Sequence, residues 1–527
     1  MKKIMTLASL ALLLGTSVGA QTLYDAAKFT DKDLNGTARF VGMGGAMGAL
    51  GGDISTIGTN PAGIGIYRSN DVMGTMSYSS TGTESSYGGM SVNSDRNRVT
   101  FDNLGVVFST KVGNETPLRY VNFGFNYHRS KSFYKNMSME GLINLGPGKE
   151  VLSQVNQMAY LANQSYNYVL DNYKESLNFM SNDIFTDPAA SWLGALGVQG
   201  RIVNQEAEGF KSFVANAPYA KFHSKESGGV DQYDFNVALN FSDRIYLGLT
   251  VGAYDVNYRK YSIYDEDYGS GARYNLQSWN HVSGSGFDFK LGAIFRPFEY
   301  SPLRIGLAVH TPTFYQLTLD TSARLESDVF LGEDATITAT DVDTYYALNN
   351  RDMSRDFDLR TPWKYNFSLG YTVGNNLALG AEYEFQDYST MKFRDSDYGS
   401  SVFGHENATI KSMTKGVNTF RIGAEYKIIP EFAFRLGYNY ISTAFKNDAY
   451  KNLPYNSINT DTDFANADAT NNYTIGIGYR GSIFYTDLAY QYSTHKENFY
   501  AFDEIYLNAT KVTNTRSQVL LTLGMRF

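Results

Sequence analysis

The feature that most limits what this chain can become is a two-residue alternation whose apolar side carries no charge. Trp363, Tyr365, Phe367, Leu369 and Tyr371 share one parity, while Lys364, Asn366, Ser368, Gly370 and Thr372 share the other. The pattern repeats with Leu377, Leu379, Ala381, Tyr383 and Phe385, again with Phe420, Ile422, Ala424, Tyr426 and Ile428, and again with Phe432, Phe434, Leu436, Tyr438 and Tyr440. A period of two predicts strands rather than helices. A soluble sandwich also alternates, so the charges decide. A Lys or Arg facing lipid at mid-membrane costs roughly 2–4 kcal/mol, and these apolar parities have none. The opposite parity carries Arg304, Glu382, Glu384, Arg421, Glu425, Lys427 and Arg435. That predicts a membrane barrel with a wet or ion-paired lumen.

Connector lengths carry the argument to topology. Fourteen candidate strands begin near Asp71, Arg98, Leu118, Gln232, Arg244, Gly286, Leu303, Trp363, Leu377, Gly416, Phe432, Asn472, Ile483 and Thr515. The links after even strands are short, at Gly113, Ser242-Asp243, Phe298-Glu299, Gly374-Asn375, Pro430 and Gly481, and those after odd strands are expected to be long. Short periplasmic turns alternating with long outer loops, and an even strand total, belong to an outer-membrane barrel. The last strand sets Val519, Leu521, Leu523, Met525 and Phe527 on one face, and its terminal Phe resembles the assembly signal of such barrels. The expected fold is an all-β membrane protein, a 14-stranded antiparallel barrel in the outer membrane of a Gram-negative cell.

Composition agrees with that class. The chain has 15% aromatic residues, 41 Tyr and 34 Phe among them, yet a mean hydropathy of −0.32, too polar for helical spans and rich in interfacial side chains. A net charge of −8 argues against nucleic acid as a partner. Lys2, Lys3, the apolar residues 4–14 and Val18-Gly19-Ala20 form a signal peptide (residues 1–20) with cleavage expected before Gln21. The chain has no cysteine, so neither a lipoprotein anchor nor disulfides are available to it.

Between signal and strands, residues 36–68 read GTARFVGMGGAMGALGGDISTIGTNPAGIGIYR. Glycine is entropically costly in any regular element, so such a run persists where a surrounding structure needs close backbone approach. A dinucleotide loop is excluded, because Gly42 and Gly44 are followed by Met47 where the third glycine should stand. The placement suggests a plug over residues 21–68, with the barrel over 69–527. This run, ending in the turn Asn60, Pro61, Ala62 and Gly63, resembles the amino-terminal hatch of the FadL/TodX family of outer-membrane transporters for hydrophobic compounds. Residues 303–312 (LRIGLAVHTP), 361–371 (TPWKYNFSLGY) and 420–440 (FRIGAEYKIIPEFAFRLGYNY) extend the likeness. The resemblance implies fourteen strands around a hatch, and passive uptake of a long-chain fatty acid or aromatic hydrocarbon through a lumenal pocket and a gap in the wall. It nominates Asn60, Pro61, Ala62 and Gly63 as the hatch turn, and Leu23, Tyr24 and Phe29 as ligand-binding.

Residues 137–229 depart from that family. Val151, Val155, Met158, Leu161, Ala162, Val169, Tyr173, Leu177 and Met180 recur at helical spacing, and a second helix is expected from Asp187 with Pro188 at its first position. These helices form a packed extracellular insertion, a lid, or a docking site. His310 lies on the inward parity and is a further ligand-binding candidate. Asp31, Asp33, Asn35 and Gly36 copy half a calcium loop, but Gly42 stands where its closing Glu belongs, so no metal is expected. The scattered histidines and the lack of a G-x-S-x-G motif argue against an enzyme, and no cofactor is expected. The expected partners are a hydrophobic small molecule, outer-membrane lipid and the barrel assembly machinery, around a monomer. Haem uptake and a surface receptor or adhesin are the alternatives.

Overall fold

The computed structural model describes residues 19–207, 209–214, 216–269, 271–331, 336–395 and 402–527. Fourteen antiparallel strands close on themselves: β1 (Asp71–Tyr87), β2 (Met90–Lys111), β3 (Leu118–Ser132), β4 (Tyr219–Phe241), β5 (Ile245–Asp267), β6 (Arg273–Phe295), β7 (Arg304–His310, continuing as Phe314–Leu331), β8 (Met353–Arg360, continuing as Lys364–Val373), β9 (Leu377–Asp387), β10 (Gly416–Ile429), β11 (Phe432–Ile441), β12 (Thr470–Arg480), β13 (Phe484–Tyr500) and β14 (Thr510–Arg526). β14 returns to β1 in register from Asp71↔Arg526 to Ser86↔Lys511, and that closure leaves neither end strand with an unpaired edge. This is an outer-membrane β-barrel.

The strands outgrow the bilayer. Along β5 the outward side chains run Ile245, Leu247, Leu249, Val251 and Ala253, then change to Asp255, Asn257 and Arg259. At roughly 3.3 Å per residue this strand is about three times as long as the roughly 25 Å apolar band is tall, so even tilted by about 40° more than half of its height lies outside. The barrel wall therefore continues as a polar collar above the membrane. That length corrects one expectation. β1 and β2 join through Gly88 and Gly89 alone (φ 56° and 87°), a tight turn with Tyr87 paired to Met90, because the strands rather than the loop make the extracellular extension.

Two strands break at prolines that sit side by side. β7 is interrupted at Thr311, Pro312 and Thr313 and β8 at Thr361, Pro362 and Trp363, where Thr313 N–H donates to Thr361 Oγ1 at 2.7 Å. Proline supplies no ladder donor, so a wall can bend there without orphaning one. Below the break β7 pairs with β6 at His310↔Lys290; above it the pairing resumes at Phe314↔Phe287.

The expected helical insertion is narrower than 137–229. A short strand, Lys135–Leu142, pairs with the upper end of β4, up to Leu142↔Tyr219. Between them lie α3 (Gln154–Tyr173) and α4 (Trp192–Gln199). Val155, Met158, Leu161, Ala162 and Val169 form the buried stripe of α3, while Met180 is exposed. The second helix does not start at Asp187. Its N-cap is Ser191, whose hydroxyl accepts from Gly194 N–H, and Asp187 instead closes a turn onto Ala189 and Ala190. Both helices seal the barrel mouth, with Trp192, Leu193 and Leu196 buried on Leu325 and its neighbours.

Candidate functional site

The amino-terminal residues run down the inside of the wall. α1 (Leu23–Thr30) is capped by Thr22, whose N–H and hydroxyl both reach Asp25 Oδ2 at 2.8 Å. α2 (Ala38–Gly42) is capped by Thr37, and two 3-10 turns follow at Ile54–Gly58 and Pro61–Ile66. Glycine is required on both sides of this contact. A Cβ at Gly437 of β11 would lie 2.1 Å from Gly44 N, and Gly44 itself has φ of +62°.

Asn60 caps the second 3-10 turn. Its Oδ1 accepts from Ala62 N–H at 3.1 Å and its Nδ2 donates to the Ala293 carbonyl of β6 at 3.2 Å. The Pro61 carbonyl accepts from Asn236 Nδ2 of β4, and Gly63 N–H donates to the Asn60 carbonyl. Ala62 is buried on Tyr246 and Ile294. One side chain thus bonds both the segment's own backbone and the wall.

Most charges of the inward parity are paired with one another, while Arg304 donates to the Leu50 carbonyl at 2.7 Å. Arg39 of α2 grips Glu425 through Nε at 2.8 Å and Nη2 at 3.0 Å, and Arg435 joins Glu425 to Asp487 with two contacts of 2.6 Å. Arg421 bridges Glu382 and Glu384, and the latter also holds Lys364. Lys290 sits between Asp234 and Asp288. Asp31 and Asp33 pair with Lys131, and Asp33 with Arg516, so these carboxylates bind wall cations rather than each other's metal. Among the described residues no His/Asp/Glu group could hold a metal ion.

Above the segment lies a cavity of about 420 Å³ between α1 and the wall. Tyr24, Phe133, Met137, Phe445, Phe464 and Phe499 form an apolar side, while Lys28, Asp31, Lys131, Lys135, Glu226 and Arg516 form a charged one. Tyr24 packs its ring on Phe445 and Phe464, centroids 5.0 and 5.4 Å away, and donates its hydroxyl to Asn466 at 2.8 Å. Leu23 and Phe29 do not line this cavity; Phe29 packs edge-on against Phe133 and Tyr258. His310 is elsewhere again, buried with Nε2 3.1 Å from the Thr59 carbonyl. Of the expected ligand residues the structure therefore brings only Tyr24 to the cavity. A larger recess of about 700 Å³ lies on the outer collar among Lys221, Asp265, Asp267, Arg273, Glu326 and Asp328.

The cavity abuts a seam in the wall. β2 and β3 pair from Lys111↔Tyr120 up to Asn103↔His128, and among the described residues no ladder joins the upper part of β2 to residues 129–142. There the chain after β3 turns inward, placing Phe133 beside Phe29 and the Tyr134 carbonyl 3.4 Å from Thr81 Oγ1 of β1. Arg98 and Arg96 stack on the Tyr134 ring, 3.5 and 4.5 Å from its centroid, across the gap. Neither arginine was nominated from sequence. The available signal was two cations, two residues apart, on an inward parity otherwise composed of small polar groups.

A family model described as BamG matches residues 210–446. No curated protein sequence matches the chain. Among solved structures, a Pseudomonas aeruginosa FadL homologue is 11% identical, with 94% of this chain and 99% of that one covered and a TM-score of 0.50. The Pseudomonas putida toluene transporter TodX is also 11% identical, covering 94% and 100%, at 0.46, and the Ralstonia pickettii toluene transporter TbuX is 12% identical, covering 94% and 99%, at 0.43. The first likeness shows the fold: a FadL-type outer-membrane barrel.

Proposed function

We propose that the chain takes up a hydrophobic small molecule passively, as a plugged channel. Residues 21–68 are the hatch, fixed by Asn60, and the cavity behind the seam receives the compound on its way to a sideways exit. The observation that carries this reading is the 420 Å³ cavity with an aromatic side, placed where the β2–β3 ladder stops. The aromatic side gives an apolar compound a surface to pack on, and the missing ladder leaves that stretch of wall held by side-chain contacts such as Ser94 to Ser138 at 3.2 Å. The charged side favours a compound with one polar end, a long-chain fatty acid over an aromatic hydrocarbon.

The test is entry of a fatty acid, an aromatic hydrocarbon and haem, by mass spectrometry, into cells lacking and regaining the protein. Faster entry of one apolar compound, lost when Asn60→Ala and Pro61→Ala are combined, supports the reading; no difference for any compound sinks it. The match to the BamG model over residues 210–446 favours a second reading, a companion barrel of the assembly machinery. Cross-linking in intact outer membranes that joins residues 210–446 to that machinery, with uptake unchanged, selects it.

A further inference from the structure

We propose that the mature chain carries a pyroglutamate at residue 21, formed by cyclisation of Gln21. The signal pattern places the scissile bond between Ala20 and Gln21, which would make this glutamine's α-amine the chain terminus. In the fold that position is not a solvated tail. With Gly19 and Ala20 still attached, Gln21 is 4% exposed, beside the loop that carries Asn459 and Asp461 and against a cavity of about 40 Å³.

Three observations make a free amino-terminal glutamine a poor occupant. Its side-chain Nε2 is buried and has no hydrogen-bond partner among the described residues, and a buried orphan donor is costly. The cavity it shares already holds Lys28, Lys260 and Lys451, and the carboxylates there are engaged: Asp25 with Thr22, and Asp461 with Lys260 at 2.6 Å and Ser262 at 3.0 Å. An ammonium would add a fourth cation beside two carboxylates, Asp25 and Asp461. It would also sit one residue ahead of the Thr22 cap, against the positive end of α1, where added positive charge is repelled.

Cyclisation removes both defects in one step. The unprotonated α-amine attacks Cδ of the same residue, a new N–Cδ amide bond forms, the Cδ–Nε2 bond breaks, and Nε2 leaves as ammonia carrying the displaced proton. No oxidant or co-reactant is needed. The orphan donor departs and the charged terminus becomes a neutral lactam. Signal cleavage also withdraws Ala20, which is buried and whose carbonyl accepts from Asn459 Nδ2 at 2.9 Å, so room and a donor stand beside the new ring.

The test is the amino-terminal peptide of protein purified from outer membranes. The full chain is denatured, its free amines are dimethylated, and trypsin then cuts only at arginine, releasing residues 21–39. The expected peptide begins at residue 21, carries no label on its terminus, and is lighter than its sequence by one ammonia. A Gln21→Ala chain, which cannot cyclise, takes the label at residue 21 under the same treatment. A wild-type peptide that starts at Gln21 with a dimethylated α-amine overturns the proposal, and so does a chain that starts at any other residue.

Discussion

Arg39 ties the amino-terminal segment to the wall through a buried ion pair, and the consequence of cutting it follows from what is left behind. Glu425 would keep Arg435 but lose a bidentate partner, and Gly52 would lose the donor to its carbonyl. Breaking one side of a buried pair costs roughly 3–5 kcal/mol, whereas replacing both sides by neutral groups of similar shape costs far less. Arg39→Ala is expected to raise the conductance of single channels in planar bilayers and to lower the urea midpoint. The double change Arg39→Met with Glu425→Gln recovers most of that midpoint; equal losses in both would show that the pair is not what holds the segment. The glycines make a second, steric prediction. Gly437→Ala forces a Cβ to 2.1 Å from Gly44 N and unseats the segment, while Gly58→Ala, with nothing within 4 Å, leaves conductance unchanged.

At the scale of elements, the seam beside β2 and the rim loop after β13 respond to different agents. Ser94 Oγ of β2 lies 3.2 Å from Ser138 Oγ of the short strand, in a chain that has no cysteine. Oxidised Ser94→Cys with Ser138→Cys ties β2 to the inward-turned chain, and uptake is expected to fall severalfold and return on reduction. Unchanged uptake in the oxidised form excludes the seam as the exit. In the rim loop, burial first and the Glu504 carboxylate second push Asp503 from 3.8 up to about 7. A raised carboxyl stabilises the fold fully only below 3.8, and its contribution is lost as the pH climbs through about 7. Protection factors in residues 501–509, corrected for the intrinsic pH dependence of exchange, are therefore expected to fall between pH 6 and pH 8, and Asp503→Asn to flatten that change. Elements of this kind were only half legible in the sequence. The outward parities of β8 to β11 were, because lipid admits no exceptions; the height of the collar and the Gly88-Gly89 turn were not, because above the bilayer the pattern inverts, with Asp255 and Arg259 outward and Val256 and Tyr258 buried inward. Asp187-Pro188 misled for a local reason: a proline can open a helix or merely follow a turn, and Ser191 was the better cap.

For the whole molecule, what sequence could not show is which residues meet across hundreds of positions. Alternation and even-numbered short turns specify a closed barrel without naming any lumenal contact, and so Tyr24 reached the cavity while Leu23, Phe29 and His310 did not. The glycine run announced close approach, yet the partners of Arg39, Asn60 and Asp33 lie on distant strands. The helical cap shows how separable these layers are. Leu142 and Tyr219 are a ladder pair, so the ends of the insertion are already adjacent, and a short turn can replace residues 144–217 without stretching the wall. The strand ladder that closes from β14 to β1 contains none of the deleted residues. A barrel with this replacement is expected to reach the outer membrane and to keep its heat-modifiable migration on gels. The mouth, however, loses the roof made by Trp192, Leu193 and Leu196, while the segment below still fills the lumen through Arg39 and Asn60. Uptake of the apolar compound should then persist or rise, with large hydrophilic antibiotics still excluded. If the antibiotics enter as well, the seal lies in the cap rather than in residues 21–68; if uptake vanishes while the barrel stays folded, the helices are the capture surface and not a cover.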